Sequence, residues 1–389
     1  MLPSLKNIGV LVGKRVLVRA DFNVPVSEGV VAPGADWRLK VVLPTLEFLS
    51  NEGAKIIILA HLGRPKNHDL SCSLYPIFLK LVELWRPGKL FFSTDILGER
   101  VEKQIAKLKN GEAILLENLR FYREEEANDE SFAQKLAAHG EIYVNDAFAD
   151  SHRAHASIVG IPKFLKSYAG FLLEKEVAVL EAVRVKPRRP LVLVMGGAKA
   201  ETKLKLVKEF MPKSEGILLG GVLANTLFRA QGTTVGQSVV DQNLLAEAKK
   251  LNIASRVLRL PVDVLVSKSM TIPKDLTTKP IGSVGREEFI MDIGPDTVNL
   301  FVKVIKTARM IIWNGTLGVT EISAFKKGSL AVARAIAESS GEKIIGGGDL
   351  INFLAEENLL NSMTYVSTGG GAMLEFLAGG GLPGIKVLE

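Results

Sequence analysis

Glycine-rich turns with a charged neighbour recur in the second half of the chain. The stretch IIGGGDLINF at 344–353 places three glycines directly before Asp349, with apolar residues on both sides. Residues without side chains let a ligand approach the backbone, and a carboxylate is a hard oxygen ligand that suits Mg²⁺. From this stretch we infer a site for a phosphate group that carries a metal ion.

Two further glycine turns favour the same chemistry. In GGAKAETKLKL, Lys199 and Lys203 stand four residues apart, so they share one face if a helix begins near Ala200. In STGGGAML at 367–374, glycines precede an apolar helical stretch, and the N–H groups of a helix start attract phosphate. Taken alone, each turn is also compatible with an ordinary solvated or capped helix start. No G-x-x-x-x-G-K-[ST] pattern occurs, which excludes a standard P-loop.

The first half of the chain carries polar and basic residues where the second half carries glycines. These residues are Arg19, Asp21, Asn23, His61, Arg64, Arg120, Asp146, His152 and Arg153. Arginines bind phosphate and carboxylate groups bidentately and stay charged, so the set predicts an anion pocket. Ordinary polar turns are the alternative for ADFNVP and HLGRP. Zinc is the alternative at His152 and His155, although the arginine between them and the lack of cysteine there favour an anion.

Short apolar runs precede these residues and indicate which elements must position them. The ten runs are RVLVRAD (15–21), AKIIILAH (54–61), AILLEN (113–118), EIYVNDA (141–147), PLVLVMGG (190–197), GILLGG (216–221), FIMDIGP (289–295), MIIWNG (310–315), EKIIGGG (342–348) and TYVSTGGG (364–371). Continuous apolarity is typical of strands buried on both faces of a parallel sheet. Helical patterns such as LPTLEFLSNEG lie between the runs, which predicts an α/β fold with ligands at the carboxyl ends of the strands. A predicted helix at 170–185, followed by KPRRP, divides the two halves.

Composition narrows the classes of function. The 389 residues are 47% hydrophobic and include a single cysteine, Cys72, so we expect a sizeable core without disulfides and a reducing compartment. We find no secretory signal and no apolar run of membrane-spanning length. The net charge of +7 fits nucleic acid or anionic metabolites, but aromatic residues make up 6% and the basic residues are dispersed, which favours small anions.

Taken in order, the motifs resemble those of the phosphoglycerate kinase family. They are VLVRADFNVP, HLGRP, LLENLRFY, YVNDAFADSHRAHAS, GGAK, GGVLANT, MDIGP, WNGTLGVTE, IIGGGD and YVSTGGGAMLEFL, and the resemblance extends from about residue 4 to the final LPGIKVL. It implies two Rossmann-like three-layer α/β/α domains with mostly parallel sheets that face each other across a cleft. Residues 1–170 would bind 3-phosphoglycerate or 1,3-bisphosphoglycerate, with the tail 375–389 packed back on them. Residues 171–185 would form the interdomain helix, and 186–374 would bind the Mg-nucleotide.

The resemblance further implies a reaction and its partners. The reaction would be reversible phosphoryl transfer from 1,3-bisphosphoglycerate to ADP, giving 3-phosphoglycerate and ATP, by direct in-line transfer with domain closure. The cofactor would be Mg²⁺, with ATP or ADP as co-substrate. The enzyme would be a cytoplasmic monomer of glycolysis and gluconeogenesis that binds neither nucleic acid nor membrane.

The resemblance also implies the roles of individual residues. Those that would hold the glycerate substrate are Asp21, Phe22, Asn23, Arg38, His61, Leu62, Gly63, Arg64, Arg120, His152 and Arg153. Those that would hold the nucleotide are Gly196, Gly197, Ala198, Lys199, Lys203, Gly220, Gly221, Gly294, Asn314, Gly315, Leu317, Glu321, Gly346, Gly347, Gly348, Asp349 and Leu350, with Glu321 on the ribose and Asp349 on the metal. Those that would act in catalysis are Arg38, Lys203, Gly370 and Gly371.

Three positions depart from the family pattern. Thr316 stands where relatives usually carry proline, Thr202 where many carry aspartate, and Leu350 where most carry a hydroxyl residue. If position 350 faces the phosphates, Leu350 removes one hydrogen bond; the alternative is that Leu350 packs in the core. The competing function classes are a metabolite-binding protein that kept the fold without activity and a nucleic-acid-binding protein. The presence of Arg38, Lys203 and Asp349 together disfavours the first.

Overall fold

In a computed structural model, which describes residues 2–85 and 89–389, the chain divides into two compact units. The first unit runs to Val179 and also includes Gly381–Glu389. The second unit runs from Leu180 to Gly380. The chain therefore leaves the first unit once and returns to it for its last residues.

The first unit is built on one parallel sheet. Its strands are β1 (Arg15–Arg19), β2 (Val26–Ser27), β3 (Val30–Val31), β4 (Lys55–Leu59), β5 (Leu90–Phe92), β6 (Ala113–Leu115), β7 (Ile142–Asn145) and β8 (Lys166–Ala169). Its helices are α1 (Trp37–Lys40), α2 (Leu43–Asn51), α3 (Tyr75–Leu84), α4 (Glu99–Ala106), α5 (Arg123–Glu126), α6 (Glu130–Ala137) and the start of α7 (Phe171–Val185). Six strands form the sheet in the order β5-β6-β4-β1-β7-β8, and every pairing in it is parallel. The remaining two, β2 and β3, form a small antiparallel hairpin.

Two hydrophobic cores cover the two faces of this sheet. Successive side chains of a strand point to opposite faces, so neighbours in β1 belong to different cores. Val16 belongs to a core that includes Leu46 of α2, whereas Leu17 belongs to a core that includes Val101 of α4 and Phe132 of α6. Helices on both faces explain why the strands are apolar throughout, and they give this unit three layers.

The second unit contains a six-stranded parallel sheet and a smaller antiparallel one. Its strands are β9 (Leu191–Met195), β10 (Gly216–Leu219), β11 (Leu258–Arg259), β12 (Asp263–Ser267), β13 (Thr277–Pro280), β14 (Phe289–Ile293), β15 (Met310–Asn314), β16 (Glu342–Gly346) and β17 (Tyr365–Ser367). Its helices are α8 (Ala200–Phe210), α9 (Gly221–Ala230), α10 (Leu245–Lys249), α11 (Pro295–Ile305), α12 (Lys327–Glu338), α13 (Gly348–Glu356) and α14 (Gly370–Leu377). The parallel sheet has the order β11-β10-β9-β15-β16-β17, and the antiparallel sheet has the order β13-β12-β14.

The predicted α/β class with two parallel-sheet regions is confirmed. All ten apolar runs contain a strand, and nine of these strands lie in the two parallel sheets. The run FIMDIGP is the exception, because β14 pairs antiparallel with β12. Apolarity reports burial on both faces of a strand and does not reveal the direction of its partner. Across the described ranges, no helix has the length and apolarity that a bilayer crossing requires.

The C-terminal tail is bound to the first unit by hydrogen bonds at Gly384. A short helix, α15 (Pro383–Lys386), follows the return of the chain. The Gly384 N–H donates to the Ser151 carbonyl at 2.9 Å, and Asn145 Nδ2 donates to the Gly384 carbonyl at 3.2 Å. Asn145 is the last residue of β7, so the tail packs beside the strand end that leads to Asp146.

Candidate functional site

The carboxyl ends of β4, β1 and β7 lie side by side in the first unit, because these strands are neighbours in its sheet. The turns that follow them carry Asp21, His61 and Asp146. Parallel strands end at one edge of a sheet, so residues far apart in the sequence converge there. The predicted anion pocket therefore has a common location within this unit.

Arg38 of α1 is held in place by a carboxylate. Its Nη1 donates to Asp21 Oδ2 at 2.5 Å, and its guanidinium carbon lies 5.0 Å from the centre of the Trp37 ring. The other oxygen of Asp21 accepts from the backbone N–H of Asn23 at 3.0 Å. The Arg38 side chain is 17% exposed. The guanidinium is therefore fixed in orientation while part of it stays open to a ligand.

Two predicted site residues fix the turn at Gly63. Asn23 Oδ1 accepts from the Gly63 N–H at 2.9 Å, and Arg120 Nη1 donates to the Gly63 carbonyl at 2.6 Å. Gly63 has a φ of +62°, which glycine adopts without strain. Asn118, which the sequence reasoning did not assign, accepts from the Leu62 N–H at 3.3 Å and donates to the Leu62 carbonyl at 2.7 Å. Its position at the end of the run AILLEN is the signal that could have found it.

A buried ion-pair network supports His61. Arg19 Nη2 lies 3.0 Å from Asp150 Oδ2 and 3.2 Å from His61 Nδ1, and the same carboxylate oxygen lies 3.3 Å from that ring nitrogen. All three side chains are buried. Burial alone would raise the pKa of Asp150, but the charges of His61 and Arg19 hold that pKa well below its ordinary value. Arg19 and Asp150 therefore orient the His61 ring.

Arginine charges act on the other groups of this region. Burial lowers the pKa of His155 to about 4, and the charges of Arg120 and Arg19 add to the effect. Arg120 Nη2 is buried and has no hydrogen-bond partner among residues 2–85 and 89–389. Arg64 is exposed and forms no ion pair in the same ranges. A buried donor without a partner is costly, so an anion that accepts from Arg120 would satisfy it.

Two predicted substrate residues do not present their side chains to a ligand. Phe22 is fully buried and Leu62 is 5% exposed, so both side chains belong to the hydrophobic core. Their apolar side chains explain this burial. If these positions contact a substrate, they do so through the backbone. Arg153, by contrast, is half-buried and its Nε donates to His152 Nε2 at 3.3 Å.

The potential metal ligands of this unit are already paired. In the part of the chain that the structure describes, the one group of three close ligands is Asp21, His61 and Asp150. It includes neither His152 nor His155, the pair considered for zinc. Asp21 pairs with an arginine and so does Asp150, which leaves this group without free carboxylate charge for a dication.

A cavity of 290 Å³ lies at the strand ends of the second unit. Predicted residues in its wall are Gly197, Ala198, Gly221, Leu317, Glu321 and Asp349. Residues in its wall that the sequence reasoning missed are Val222, Asn225, Ser238, Val239, Met270, Phe289, Ile290, Met291, Gly318 and Val319. Most of these missed residues are apolar, and they form a wall suited to a flat heterocycle. Asn225 lies on α9 within the motif GGVLANT, and Met291 lies on β14 within the motif MDIGP. Ser238, Val239 and Met270 come from loops, and no motif in the sequence signals their approach.

Glycines let two backbone turns pack directly on each other beside this cavity. The Gly197 N–H donates to the Thr316 carbonyl at 2.6 Å, and a Cβ on Gly196 would lie 2.0 Å from the same oxygen. A Cβ on Gly315 would lie 2.4 Å from the Gly196 carbonyl oxygen, and one on Gly220 would lie 2.7 Å from the Leu317 side chain. The departure at Thr316 is tolerated, because its Oγ1 donates to the Gly318 carbonyl at 2.9 Å and closes the turn.

Two helix starts meet next to these turns. Helix α13 begins at Gly348 and α14 at Gly370, and a Cβ on Gly370 would lie 2.9 Å from Gly347 Cα. Asn314 Nδ2 donates to the Gly346 carbonyl at 2.7 Å, which ties the end of β15 to the end of β16. Gly371 occupies the second position of α14. The first turn of each helix leaves backbone N–H groups without an internal acceptor, and such groups bind anions.

Lys203 is a buried cation without a counter-ion. It is 4% exposed, and its Nζ lies 3.3 Å from the position that a Cβ on Gly197 would take. Within the described ranges it forms no ion pair or hydrogen bond. Burial and, to a smaller extent, the charge of the exposed Lys199 lower its pKa to about 8, against the opposing effect of the Asp349 carboxylate. Such a group attracts a phosphate.

Two predicted nucleotide residues are not among those that line this cavity. Leu350 is fully buried, which favours the alternative that its side chain packs in the core over the hypothesis that a hydroxyl facing the phosphates is missing there. Only its backbone N–H, in the first turn of α13, can face a ligand. The structure does not bring Gly294 into the cavity with Leu317. Gly294 packs against Asp263, where a Cβ would lie 2.3 Å from the carboxylate carbon, and it lines a different cavity.

Comparison with known proteins gives one consistent result. A sequence model described as Phosphoglycerate kinase matches residues 5–380. Phosphoglycerate kinase of Dictyoglomus turgidum is 42% identical over 385 residues, covering 97% of this chain and 96% of the relative. The structure of phosphoglycerate kinase from Coxiella burnetii matches with a TM-score of 0.82 at 37% identity, covering 100% of this chain and 99% of that one. The enzyme from Pyrococcus horikoshii OT3 matches with a TM-score of 0.86 at 32% identity, covering 100% and 98%.

Two parallel-sheet α/β regions, one with an arginine cluster and the other with glycine turns around a buried lysine, fit the class of kinases that act on small molecules. The matches agree with that class and narrow it to one family. The chain belongs to the phosphoglycerate kinase family. It is therefore a phosphotransferase with small-molecule substrates, one of them a nucleotide.

Proposed function

We propose that the chain catalyses reversible, Mg²⁺-dependent phosphoryl transfer from 1,3-bisphosphoglycerate to ADP, giving 3-phosphoglycerate and ATP. The observation that carries the proposal is Lys203, a buried lysine without a counter-ion beside the glycine turns of the second unit. A charged group costs free energy when it is buried unpaired, and a transferred phosphate would supply the missing charge.

The first unit would bind the three-carbon acid phosphate. The carboxylate and phosphate of this ligand match the guanidinium groups of Arg64, Arg120 and Arg153, because arginine binds both groups in a planar, bidentate manner. Arg120 has the unsatisfied Nη2 that such a ligand would fill. His61, oriented by its ion-pair network, would add a hydrogen bond. Arg38, oriented by Asp21, would face the phosphoryl group that is transferred.

The second unit would bind the nucleotide. Its cavity would take the nucleoside, with Glu321 accepting from the ribose hydroxyl groups. The phosphates would extend toward the starts of α13 and α14, where Gly348 leaves open space at the backbone. Lys199 and Lys203 would pair with the phosphates. The attraction between Lys203 and a phosphate would be strong because Lys203 is buried and shielded from water.

Asp349 fits a magnesium ion carried by the nucleotide. Its carboxylate is exposed, lines the cavity and has no hydrogen bond or ion pair in the ranges that the structure describes. One carboxylate suits Mg²⁺, which takes its other ligands from phosphate oxygens and water. When bound there, the ion would neutralise negative charge on the phosphates.

The chemical step needs little from the protein beyond positioning and charge. A terminal oxygen of the ADP β-phosphate would attack the phosphorus of the acyl phosphate, and the bond from that phosphorus to the C1 carboxylate oxygen would break. No proton moves to the leaving carboxylate. Arg38 and Lys203 would stabilise charge on the transferring group, together with the N–H groups of Gly370 and Gly371. Arg38 and Lys203 belong to different units, so we also propose that turnover requires the units to close on the ligands.

A coupled assay tests the proposal directly. Purified chain is supplied with 3-phosphoglycerate and MgATP, and acyl-phosphate formation is followed through a reductive coupling enzyme. Glycerate without its phosphate is the matched substrate control, and omission of Mg²⁺ with added chelator is the metal control. The absence of ATP consumption above background by well-folded protein would refute the function. Small-angle X-ray scattering that shows no compaction with both substrates bound would refute closure of the two units. Analytical sedimentation would test whether the chain is the expected monomer. The expected cytoplasmic location stays a prediction.

A further inference from the structure

The loop of residues 316–319 forms one wall of the nucleoside cavity, and its shape is set from outside the cavity. Four consecutive residues of this loop line the cavity. The loop follows β15 and does not belong to a helix or strand. Its backbone therefore needs partners elsewhere to keep one conformation, because no ladder of hydrogen bonds defines it.

Ser329 of α12 supplies those partners. Its Oγ accepts from the Leu317 N–H at 3.1 Å and from the Gly318 N–H at 2.9 Å. Its hydroxyl hydrogen bonds to Asp292. A serine hydroxyl has one donor and two acceptor sites, so its capacity is used in full. Ser329 is completely buried, and water cannot replace any of these bonds.

Asp292 holds the hydroxyl in this orientation. Its carboxylate accepts from the Ile293 N–H at 2.9 Å and from the Gly328 N–H at 2.6 Å, in addition to Ser329. A Cβ on Gly318 would lie 2.4 Å from Asp292 Oδ1, so the loop rests directly on the carboxylate. Asp292 itself lines the cavity that also contains Gly294, and it is not among the residues that line the nucleoside cavity. It therefore acts on the nucleoside wall without reaching a nucleoside.

We propose that Asp292 and Ser329 are positioning residues that hold the 316–319 loop in the conformation required for nucleotide binding. The proposal rests on the proposed function, because it assumes that the cavity takes the nucleoside of ADP or ATP. A further hydrogen bond supports the proposal: the Val319 N–H donates to the carbonyl of Met291, another wall residue. The chain of contacts thus sets the spacing between two walls of the same cavity.

The alternative is that the two residues only cap α12. In that case their loss would lower the melting temperature and leave the nucleotide affinity of the folded protein unchanged. The positioning role predicts a separate effect, because Leu317 and Gly318 would lose their acceptor and the loop would sample other conformations. Binding measured on folded protein distinguishes these two roles.

The test compares Ser329→Ala with Ser214→Ala. Ser214 is a buried serine of the same unit whose hydroxyl donates to the Phe210 carbonyl at 2.8 Å, a local bond at the end of α8. Affinity for ADP is measured by calorimetry at a temperature where circular dichroism shows each variant folded, and KM values for MgATP and 3-phosphoglycerate are measured on the same samples. We expect Ser329→Ala to weaken ADP binding about tenfold, because two backbone donors lose their partner. Its KM for 3-phosphoglycerate should stay within about twofold of the parent value.

A second variant keeps the test decisive if Ser329→Ala does not fold. Ser329→Cys keeps the shape of the side chain at a slightly larger volume and weakens the hydrogen bonds, so its ADP affinity should fall between those of the parent and Ser329→Ala. Unchanged ADP affinity in Ser329→Ala, or in Ser329→Cys if that is the variant that folds, would overturn the inference, and so would equal weakening in Ser214→Ala. If the parent chain binds no ADP, the proposed function fails and the inference falls with it.

Discussion

The buried lysine of the second unit should take up a proton when a nucleotide binds at alkaline pH. Burial lowers the pKa of Lys203 from 10.5 to about 8, and the charge of Lys199 adds to the effect. The difference corresponds to roughly 3 kcal/mol of free energy that opposes charge on this lysine. A phosphate beside Nζ would offset that cost, so the pKa of Lys203 should be higher in the complex than in the free protein.

The sign of the pH dependence follows from these two pKa values. At pH values below about 8, Lys203 is protonated in both states and this group gives no pH dependence. Above about 8 the free protein loses the proton and the complex keeps it, so ADP affinity should fall by up to about tenfold for each further pH unit. Folding stability behaves oppositely. The unfolded chain binds the proton up to 10.5, so the free energy of unfolding contributed by Lys203 rises as pH increases from about 8 toward 10.5.

Calorimetry measures the proton uptake directly. ADP is titrated into the protein at about pH 7 and about pH 9, each in two buffers of different ionisation enthalpy, and the difference in heat gives the protons bound, with nearly one expected at the higher pH. Lys203→Met should abolish the uptake. Lys205→Met is the matched control, because Lys205 lies on the same helix but is exposed and paired with Glu201 at 3.0 Å. Lys199→Met should shift the midpoint upward by removing a like charge.

Two results would refute this reasoning. If uptake at about pH 9 is the same in Lys203→Met as in the parent, another group carries the proton and the burial argument fails. If Lys205→Met removes as much uptake as Lys203→Met, the effect is a general loss of positive charge rather than a property of one buried lysine.

Three further predictions concern the residues around the transferred group. Arg38→Ala should lower kcat by roughly 10²–10³, whereas Lys40→Ala on the same short helix should not; a raised KM with unchanged kcat would make Arg38 a binding residue only. Asp349→Ala should weaken use of the Mg-nucleotide in steady-state assays and leave 3-phosphoglycerate binding unchanged, and equal weakening of both ligands would contradict a metal role. Leu350→Thr should lower the melting temperature, at a cost of about 2–4 kcal/mol for the lost burial, without improving MgATP kinetics; better kinetics at an unchanged melting temperature would show that position 350 does face the phosphates.

The sequence predicted those strands that are buried on both faces of a sheet, because such strands are continuously apolar. Val16 and Leu17 pack in different cores, and this is why the run that contains them shows no alternation. The sequence does not indicate which strands pair with each other or in which direction. The run at 289–295 is apolar like the others, yet β14 belongs to the antiparallel sheet, and short strands such as β11 are visible only through their pairing.

The site was predictable where a residue follows directly on a strand, and not where the contact comes from a distant loop. Asp21 and His61 stand at such strand ends, and the parallel sheet brings them to one edge. Met270 and Ile290 line the cavity of the second unit from a loop and from the antiparallel sheet, whose positions depend on tertiary packing. The contact between Ser329 and the 316–319 loop is likewise invisible in the sequence, since serine near a helix start is most often a cap.

The three glycines of IIGGGDLINF show how one motif can combine separate physical requirements. A Cβ on Gly346 would lie 2.5 Å from the Met373 sulfur, so this glycine lets α14 pack against the strand end. Gly347 has a φ of +111° and contacts Gly370, so it turns the chain into α13 and brings two helix starts together. Gly348 alone faces open space. Gly348→Ala should therefore fold normally and act on phosphate binding, whereas alanine at either preceding position should disturb the fold first. Gly346 and Gly347 therefore serve mainly to place the starts of α13 and α14. Gly348 is the glycine that leaves room for a ligand.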